Sequence, residues 1–169
     1  MLFRSVMNMR IGQSQDIHCL KEGRDLILGG VKIPYHLGLD GHSDADVLTH
    51  AITEAIIGAL GEGDLGSHFP DNDDRYLGIS SLILLDDICA LMDEKGYRIG
   101  NVDSLVIMEK PKLRPYIDQI REKLAEHLNC TAAQVNVKAT TSEKMGFVGE
   151  GRGVIAQAVV LLEEKEEVK

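Results

Sequence analysis

Apolar segments with a period of two alternate with longer apolar segments of helical period along this sequence. In a strand every second side chain faces the same side, whereas in a helix the same face recurs every three to four residues. Strands and helices that alternate in this way indicate an α/β or α+β sandwich, in which helices cover a sheet. The predicted strands are 10–18, 26–28 with 31–33 (broken at Gly29-Gly30), 98–108, 134–139 and 153–162, and the predicted helices are 43 or 44–60, 81–95 and 113–128.

The length and composition are those of one globular domain. The chain has 169 residues, of which 44% are hydrophobic, enough to bury a core. We predict an N-terminal extension (1–8), a single domain (9–162) and a charged tail (163–169). A net charge of −9 argues against a nucleic-acid partner, because phosphate backbones attract clustered Lys and Arg. No segment approaches the roughly 20 apolar residues of a membrane span, so we expect no membrane partner. No C-x-x-C pair is present, and we expect reduced cysteines and a cytoplasmic location.

Asp16 and His18 form the first candidate metal-ligand pair. They are two residues apart near the end of a predicted strand, so their side chains share one face while Ile17 points to the other. A carboxylate oxygen and an imidazole nitrogen are suitable zinc ligands. A lone D-x-H pair is more often an ordinary surface pair.

His50 adds a third candidate ligand. If the next helix begins near Ser43, Asp46 and His50 are four residues apart on one helix face, and Asp46 can orient the second ring nitrogen of His50. Two histidines and one carboxylate leave a fourth tetrahedral position open, as in catalytic zinc sites. Spacing alone does not show that the strand and the helix meet.

Four further segments carry polar groups suited to phosphate or sugar chemistry, each with an ordinary alternative. His42 precedes a helix start, where backbone N–H groups favour anions. Segment 64–74 is dense in acids, which is typical of a solvated loop but also suits a polyol. Segment 110–115 is a compact basic patch suited to a diphosphate or to solubility. Segment 140–144 offers hydroxyls for phosphate and Glu143 for magnesium.

Taken together and in order, these segments resemble the 2-C-methyl-D-erythritol 2,4-cyclodiphosphate synthase family. The resemblance covers about residues 10–162. It is carried by Arg10-Ile11-Gly12 with Asp16-x-His18, Gly29-Gly30-Val31-x-Ile33-Pro34, His42-Ser43-Asp44-x-Asp46-Val47 with His50, Gly63-Asp64-Leu65-Gly66 with His68-Phe69-Pro70-Asp71, Gly100-Asn101-Val102-Asp103, Pro111-Lys112, and Asn136-Val137-Lys138-Ala139-Thr140-Thr141.

The resemblance implies a fold, an assembly and a reaction. The fold is α+β: a mixed four-stranded sheet covered by helices on one face (a ferredoxin- or chorismate-mutase-like sandwich), plus a small hairpin. The assembly is a homotrimer packed around its sheets, with active sites between subunits. The reaction belongs to non-mevalonate isoprenoid precursor biosynthesis: the 2-phosphate of 4-diphosphocytidyl-2-C-methyl-D-erythritol 2-phosphate attacks the β-phosphorus and CMP leaves. The enzyme is therefore expected to be a phosphorus-oxygen lyase.

The resemblance also implies residue roles. Asp16, His18 and His50 match the zinc ligands, and Glu143 matches the ligand of a magnesium or manganese ion. His42 and Thr141 match residues that stabilise the transition state. The substrate-binding residues implied are Asp16, His18, His42, Ser43, Asp64, Leu65, Gly66, Phe69, Pro70, Asp71, Asn72, Asp73, Met108, Pro111, Lys112, Leu113, Ala139, Thr140, Thr141, Ser142, Glu143 and Phe147.

Two other functions are compatible with parts of the pattern. A zinc-dependent phosphohydrolase would activate water at the open metal position, but the sequence has no H-E-x-x-H motif to supply a base. A non-catalytic trimeric nucleotide-binding protein would have no need of the metal ligands together with Glu143 and Thr141.

Overall fold

The structure is a computed structural model that describes residues 8–70 and 72–166. Residues 1–7 of the predicted extension, Asp71 and residues 167–169 of the predicted tail lie outside the described residues. The strands are β1 (Met9–Lys21), β2 (Leu26–Leu28), β3 (Val31–Ile33), β4 (Gly38–Leu39), β5 (Tyr97–Ile107), β6 (Val135–Thr140) and β7 (Gly153–Glu164). The α-helices are α1 (Val47–Leu60), α2 (Leu65–His68), α3 (Ser81–Glu94), α4 (Ile117–His127) and α5 (Gly146–Gly149), with 3₁₀ turns at Asp74–Tyr76, Arg114–Tyr116 and Ala132–Gln134.

The main sheet has five strands in the order β4-β1-β7-β5-β6. Only the β5–β6 pair is parallel, and the other pairs are antiparallel, so the sheet is mixed as predicted. The predicted count of four strands is too low by one, because the two-residue strand β4 pairs with the end of β1. A strand this short carries no alternation that a sequence pattern can reveal.

Strands β2 and β3 form the predicted separate hairpin. The turn residues Gly29 and Gly30 have φ angles of 57° and 72°. Two consecutive positive φ values are those of a tight hairpin turn, which glycine adopts without a steric penalty. The two glycines therefore reverse the chain here and do not merely interrupt one strand.

Helices cover one face of the sheet, and the core lies between the two layers. Helix α1 packs over β1 and β7, and twelve of its fourteen residues are buried, among them Leu48, Ile52 and Ile56. On the opposite face of the sheet, Ile11, Ile17 and Val159 expose 71%, 47% and 46% of their surfaces. A single chain therefore leaves one apolar sheet face uncovered.

Element ends differ from the predicted ones at several places. β1 continues to Lys21, and β7 continues to Glu164, two residues into the predicted tail. The predicted helix 113–128 begins as a 3₁₀ turn around Pro115 and becomes α-helical at Ile117. No helix within residues 8–70 and 72–166 is long and apolar enough to cross a membrane.

Gly12 sets how closely α1 approaches β1. A Cβ atom on Gly12 would lie 1.8 Å from the backbone oxygen of Ala55 and 2.7 Å from the backbone nitrogen of Ala59. Both atoms belong to the backbone of α1 and cannot move aside like a side chain. This close contact brings α1 against the strand that carries Asp16 and His18.

We therefore expect Gly12→Ala to lower the free energy of unfolding by about 3 kcal/mol, because the added methyl group pushes α1 away from the sheet. Denaturant unfolding followed by circular dichroism measures the change. Gly58→Ala is the matched control, since a Cβ on Gly58 meets no atom within 4 Å and the residue lies inside α1. This control should gain about 0.5–1 kcal/mol. Equal stability of the two variants would contradict the proposed role of Gly12.

Candidate metal centre and adjoining pockets

Asp16, His18 and His50 converge at the place where α1 crosses β1. The distance from Asp16 Oδ2 to His18 Nε2 is 2.9 Å, and His50 Nδ1 lies 3.3 Å from each of these atoms. Ligand bonds of about 2.0–2.2 Å to a tetrahedral ion imply ligand–ligand separations of about 3.3–3.6 Å. Two of the three separations match this range and the third, at 2.9 Å, is shorter, so the three residues are placed to ligate one metal ion after a small adjustment of Asp16 and His18. The predicted meeting of strand and helix is confirmed.

Hydrogen bonds on the far side of each ring fix how the two histidines present their nitrogens. His18 Nδ1 lies 2.7 Å from the carbonyl oxygen of Asp40, so this nitrogen donates a proton. His50 Nε2 lies 2.8 Å from Ser81 Oγ, and Ser81 Oγ donates in turn to the carboxylate of Asp44. Because the outer nitrogen of each ring donates, the nitrogen that faces Asp16 is the one that can give up its proton and bind a metal ion.

Asp46 does not orient His50, contrary to the prediction. Helix α1 begins at Val47, and Asp46 is its N-cap. The buried carboxylate accepts hydrogen bonds from the backbone N–H and the hydroxyl of Thr49, and from the N–H groups of Gly29 and Gly30. Asp46 therefore joins the hairpin turn to the start of the helix that carries His50, and Ser81 with Asp44 takes the predicted orienting role.

The electrostatics of the three-residue cluster favour a bound cation. Burial alone would raise the pKa of Asp16, but the hydrogen bonds from His18 and His50 outweigh it and hold that pKa well below its ordinary value. Burial opposes the charged form of His18, but its bond to Asp16 raises the pKa of the ring. The carboxylate is consequently ionised at neutral pH, so the cluster offers a negative charge to a bound cation.

His18 and His50, but not Asp16, line a cavity of about 690 Å³, which we call the metal pocket. Many of the predicted substrate-binding residues line it, and Gly41, Tyr76 and Leu84 line it without having been predicted. The rings of Tyr76 and Phe69 meet edge to face at a centroid distance of 5.4 Å. The predicted residues in the lining are His18, His42, Ser43, His50, Leu65, Gly66, Phe69, Pro70 and Asn72.

The predicted acidic residues near this pocket are engaged in local hydrogen bonds. Asp64 caps α2 and accepts from the backbone N–H of Ser67 at 2.8 Å. Asp73 forms an exposed ion pair with Arg75 at 2.6 Å, while its carbonyl oxygen lies 3.1 Å from His42 Nε2. Neither Asp64 nor Asp73 lines the metal pocket.

A second cavity, of about 470 Å³, lies beside the ends of β5 and β6, and we call it the β5–β6 pocket. Its lining combines apolar residues with the cations Lys112, Arg114 and Lys138. Its lining includes the predicted residues Met108, Pro111, Lys112, Leu113, Ala139, Thr140 and Thr141. The structure thus groups the predicted residues of segment 108–113 with those of segment 139–141.

The remaining predicted residues lie next to this second cavity. Ser142, Glu143 and Phe147 line a shallow pocket that also includes Thr140 and Thr141. Thr141 Oγ1 donates to Glu143 Oε1 at 2.7 Å. The hydroxyl and the carboxylate predicted to act on phosphate are therefore in direct contact.

Within one chain, the metal pocket and the β5–β6 pocket are far apart. The sheet register aligns Ile17 with Ile155, Ile155 with Ile107, and Ile107 with Thr140. Three strand spacings of about 4.8 Å put the Asp16–His18 segment about 14 Å from Thr140. The two groups of predicted residues thus lie at the same end of the sheet, but no residue lines both pockets.

Comparisons of the sequence and of the fold with known proteins identify the family of this chain. The sequence pattern of the YgbB family matches residues 9–163. The chain belongs to the YgbB family. It is 57% identical over 157 residues to a 2-C-methyl-D-erythritol 2,4-cyclodiphosphate synthase from Geotalea uraniireducens, a match that covers 93% of this chain and 100% of that relative. The predicted family and enzyme class, a cyclising lyase, are confirmed.

Solved structures of YgbB-type proteins share the fold. An IspF–CDP complex from Plasmodium falciparum superposes with a TM-score of 0.83 at 39% identity, covering 94% of this chain and 98% of that one. The bifunctional IspDF from Campylobacter jejuni superposes with a TM-score of 0.92 at 36% identity. That match covers 96% of this chain, and this chain spans 44% of the bifunctional protein.

Proposed function

We propose that this chain converts 4-diphosphocytidyl-2-C-methyl-D-erythritol 2-phosphate into 2-C-methyl-D-erythritol 2,4-cyclodiphosphate and CMP. An oxygen of the 2-phosphate attacks the β-phosphorus, and the bond from that phosphorus to the oxygen shared with the α-phosphate breaks. The convergence of Asp16 with His18 and His50, which line a cavity, in a chain 57% identical to a named synthase, carries the proposal. An ionised phosphate nucleophile needs no general base, so positioning and charge neutralisation supply most of the catalysis.

The candidate ligands form two separate groups, and each group suits a different kind of metal ion. We assign zinc to Asp16, His18 and His50, because two imidazoles and a carboxylate suit a tetrahedral ion with one open position. We assign magnesium or manganese to Glu143, since a single carboxylate together with phosphate oxygens suits a hard cation. When bound, the two ions neutralise the phosphate charges that the attack brings together and polarise the β-phosphate.

The remaining residues hold the substrate at its two ends. The metal pocket takes the methylerythritol part, with Phe69 and Leu65 against its carbon skeleton. Asp71 supplies an acceptor for its hydroxyls, whereas Asp64 and Asp73 would have to leave their local hydrogen bonds to do so. The β5–β6 pocket takes the cytidine part, between Met108 and Leu113 on one side and Ala139 with Thr140 on the other. His42 and Thr141 donate to the phosphate oxygens that gain charge in the transition state.

The active site is completed by a second copy of the chain in a cytoplasmic homotrimer. A diphosphate is far shorter than the roughly 14 Å that separates the Asp16–His18 segment from Thr140 in one chain. The uncovered sheet face, with Ile11, Ile17 and Val159 exposed, offers an apolar surface for packing three sheets together. No nucleic-acid or membrane partner is needed for this function.

Phosphorus NMR tests the proposed reaction. Purified protein is incubated with the cytidylyl substrate, Zn²⁺ and Mg²⁺, and the products are followed over time. A cyclic diphosphate resonance that rises together with CMP is expected. Linear hydrolysis products would instead identify a phosphohydrolase, and an unchanged spectrum would identify a protein that binds nucleotides without catalysis.

We expect Ser81→Ala to weaken zinc binding about 10- to 100-fold, because His50 Nε2 loses its nearer acceptor, at 2.8 Å, and keeps only Ser43 Oγ at 3.1 Å. Competition with a coloured chelator measures the affinity. Ser80→Ala is the matched control: Ser80 is the neighbouring N-cap, and its hydroxyl contacts the backbone of Leu82 instead of a metal ligand. Equal zinc affinity in the two variants would show that Ser81 does not position His50.

A further inference from the structure

The loop of residues 141–145 holds an unusual backbone conformation. Glu143 and Lys144 have φ angles of 54° and 63°, a region that non-glycine residues seldom adopt. Two such residues in succession persist only when neighbouring groups fix them. Thr141 and Glu143, the two residues assigned to the phosphates, both belong to this loop.

One carboxylate outside the loop binds it on both sides of Glu143. Glu109 Oε1 accepts from the backbone N–H of Ser142 at 3.0 Å and from that of Lys144 at 3.2 Å. The hydroxyl of Ser142 lies 3.1 Å from the same oxygen. Hydrogen bonds to an ionised acceptor are stronger than those between neutral groups. The N–H groups of Lys144 and Ser142 also lower the pKa of Glu109, so the carboxylate is charged at neutral pH.

Glu109 is itself held by the sheet and borders the second cavity. It directly follows Met108, whose backbone N–H donates to the carbonyl oxygen of Thr140 at 3.0 Å. It also lines the β5–β6 pocket assigned to cytidine. The loop is therefore tied to a rigid strand end by a residue at the edge of the nucleotide pocket.

We propose that Glu109 is a positioning residue that fixes the 141–145 loop so that Thr141 and Glu143 are held ready for the substrate phosphates and the second metal ion. It acts through the two backbone N–H groups, and this inference rests on the proposed synthase function. Without Glu109 the loop loses both of these bonds, and Glu143 relaxes from its positive φ.

Hydrogen exchange of the metal-free protein tests the inference without any catalysis. In Glu109→Ala, the amides of Ser142 and Lys144 should exchange at least about tenfold faster, since both lose a charge-assisted acceptor. Glu109→Gln keeps an acceptor oxygen and should exchange at an intermediate rate. Glu122→Ala removes an exposed glutamate on α4 and should leave the loop amides unchanged. Unchanged exchange in Glu109→Ala would overturn the inference.

Kinetics separate this role from a general structural one. The Mg²⁺ concentration for half-maximal activity should rise about tenfold in Glu109→Ala and less in Glu109→Gln, while the zinc content stays at the wild-type value. A parallel loss of zinc would show general disruption and contradict the inference.

If the wild type forms no cyclic product, the proposed function fails, and the exchange rates still decide whether Glu109 fixes the loop. If Glu109→Ala does not fold, Glu109→Gln decides: wild-type exchange and Mg²⁺ dependence in that variant would overturn a role of the charge.

Discussion

Replacing His50 with alanine is expected to abolish zinc binding and to lower kcat/KM at least about a thousandfold. The side chain supplies one of three ligand atoms that lie within 3.3 Å of one another. Two ligands hold the ion weakly, and the charge stabilisation that a Lewis acid gives to the β-phosphate is worth several kcal/mol. Metal analysis of the purified variant and the phosphorus NMR assay measure the two losses.

His36→Ala is the matched control for this substitution. His36 is exposed just after β3, where its ring contacts Tyr35 at a centroid distance of 4.4 Å. This variant should keep both zinc and activity. A His50→Ala protein that turns over at the wild-type rate would refute the metal assignment and, with it, the proposed function.

Mixing two inactive variants is expected to restore activity. His50→Ala removes a ligand from the metal pocket, and Glu143→Ala removes a carboxylate from the 141–145 loop. This loop follows Thr140, which the sheet register separates from the Asp16–His18 segment within one chain. If each site combines His50 of one subunit with Glu143 of the next, every mixed trimer leaves both residues intact in one of its sites, which is about one third of the sites. Co-expression of differently tagged chains, followed by tandem purification and the NMR assay, measures the recovery.

A chain that carries both substitutions provides the control for complementation. Co-expressed with itself, it should remain inactive, because no site can be intact. If the two single variants together recover no activity although mixed trimers are isolated, then each site draws both residues from the same chain. That result would contradict the shared active site but not the zinc assignment.

Much of the fold and the first metal ligands could be predicted because they depend on local periodicity. The two-residue spacing of Asp16 and His18 places both side chains on one strand face, as the structure confirms. The apolar faces of α1 and α3 likewise gave their positions within a few residues. Spacing alone did not show that the strand and the helix meet. The order of motifs along the chain implied it, through the family resemblance that this order carries.

The features that were missed depend on contacts distant in sequence. The prediction placed Asp46 beside His50 on the helix, because nothing local shows that its carboxylate also binds the N–H groups of Gly29 and Gly30. Ser81 was expected only as a helix start, although it lies 2.8 Å from His50 across 31 residues. Strand β4 was missed because two residues show no periodicity.

The cap formed by Asp46 has a consequence for how the metal is acquired. The carboxylate fastens the start of α1 to the hairpin with hydrogen bonds that involve no metal ligand. Zinc-finger domains, by contrast, need the ion in order to fold at all. In this protein the ligands are assembled by the fold, so we expect chelation to empty the site and leave the chain folded. Which ion occupies the site is then decided at equilibrium, by the affinities of the folded protein and by the concentrations of the metal ions around it.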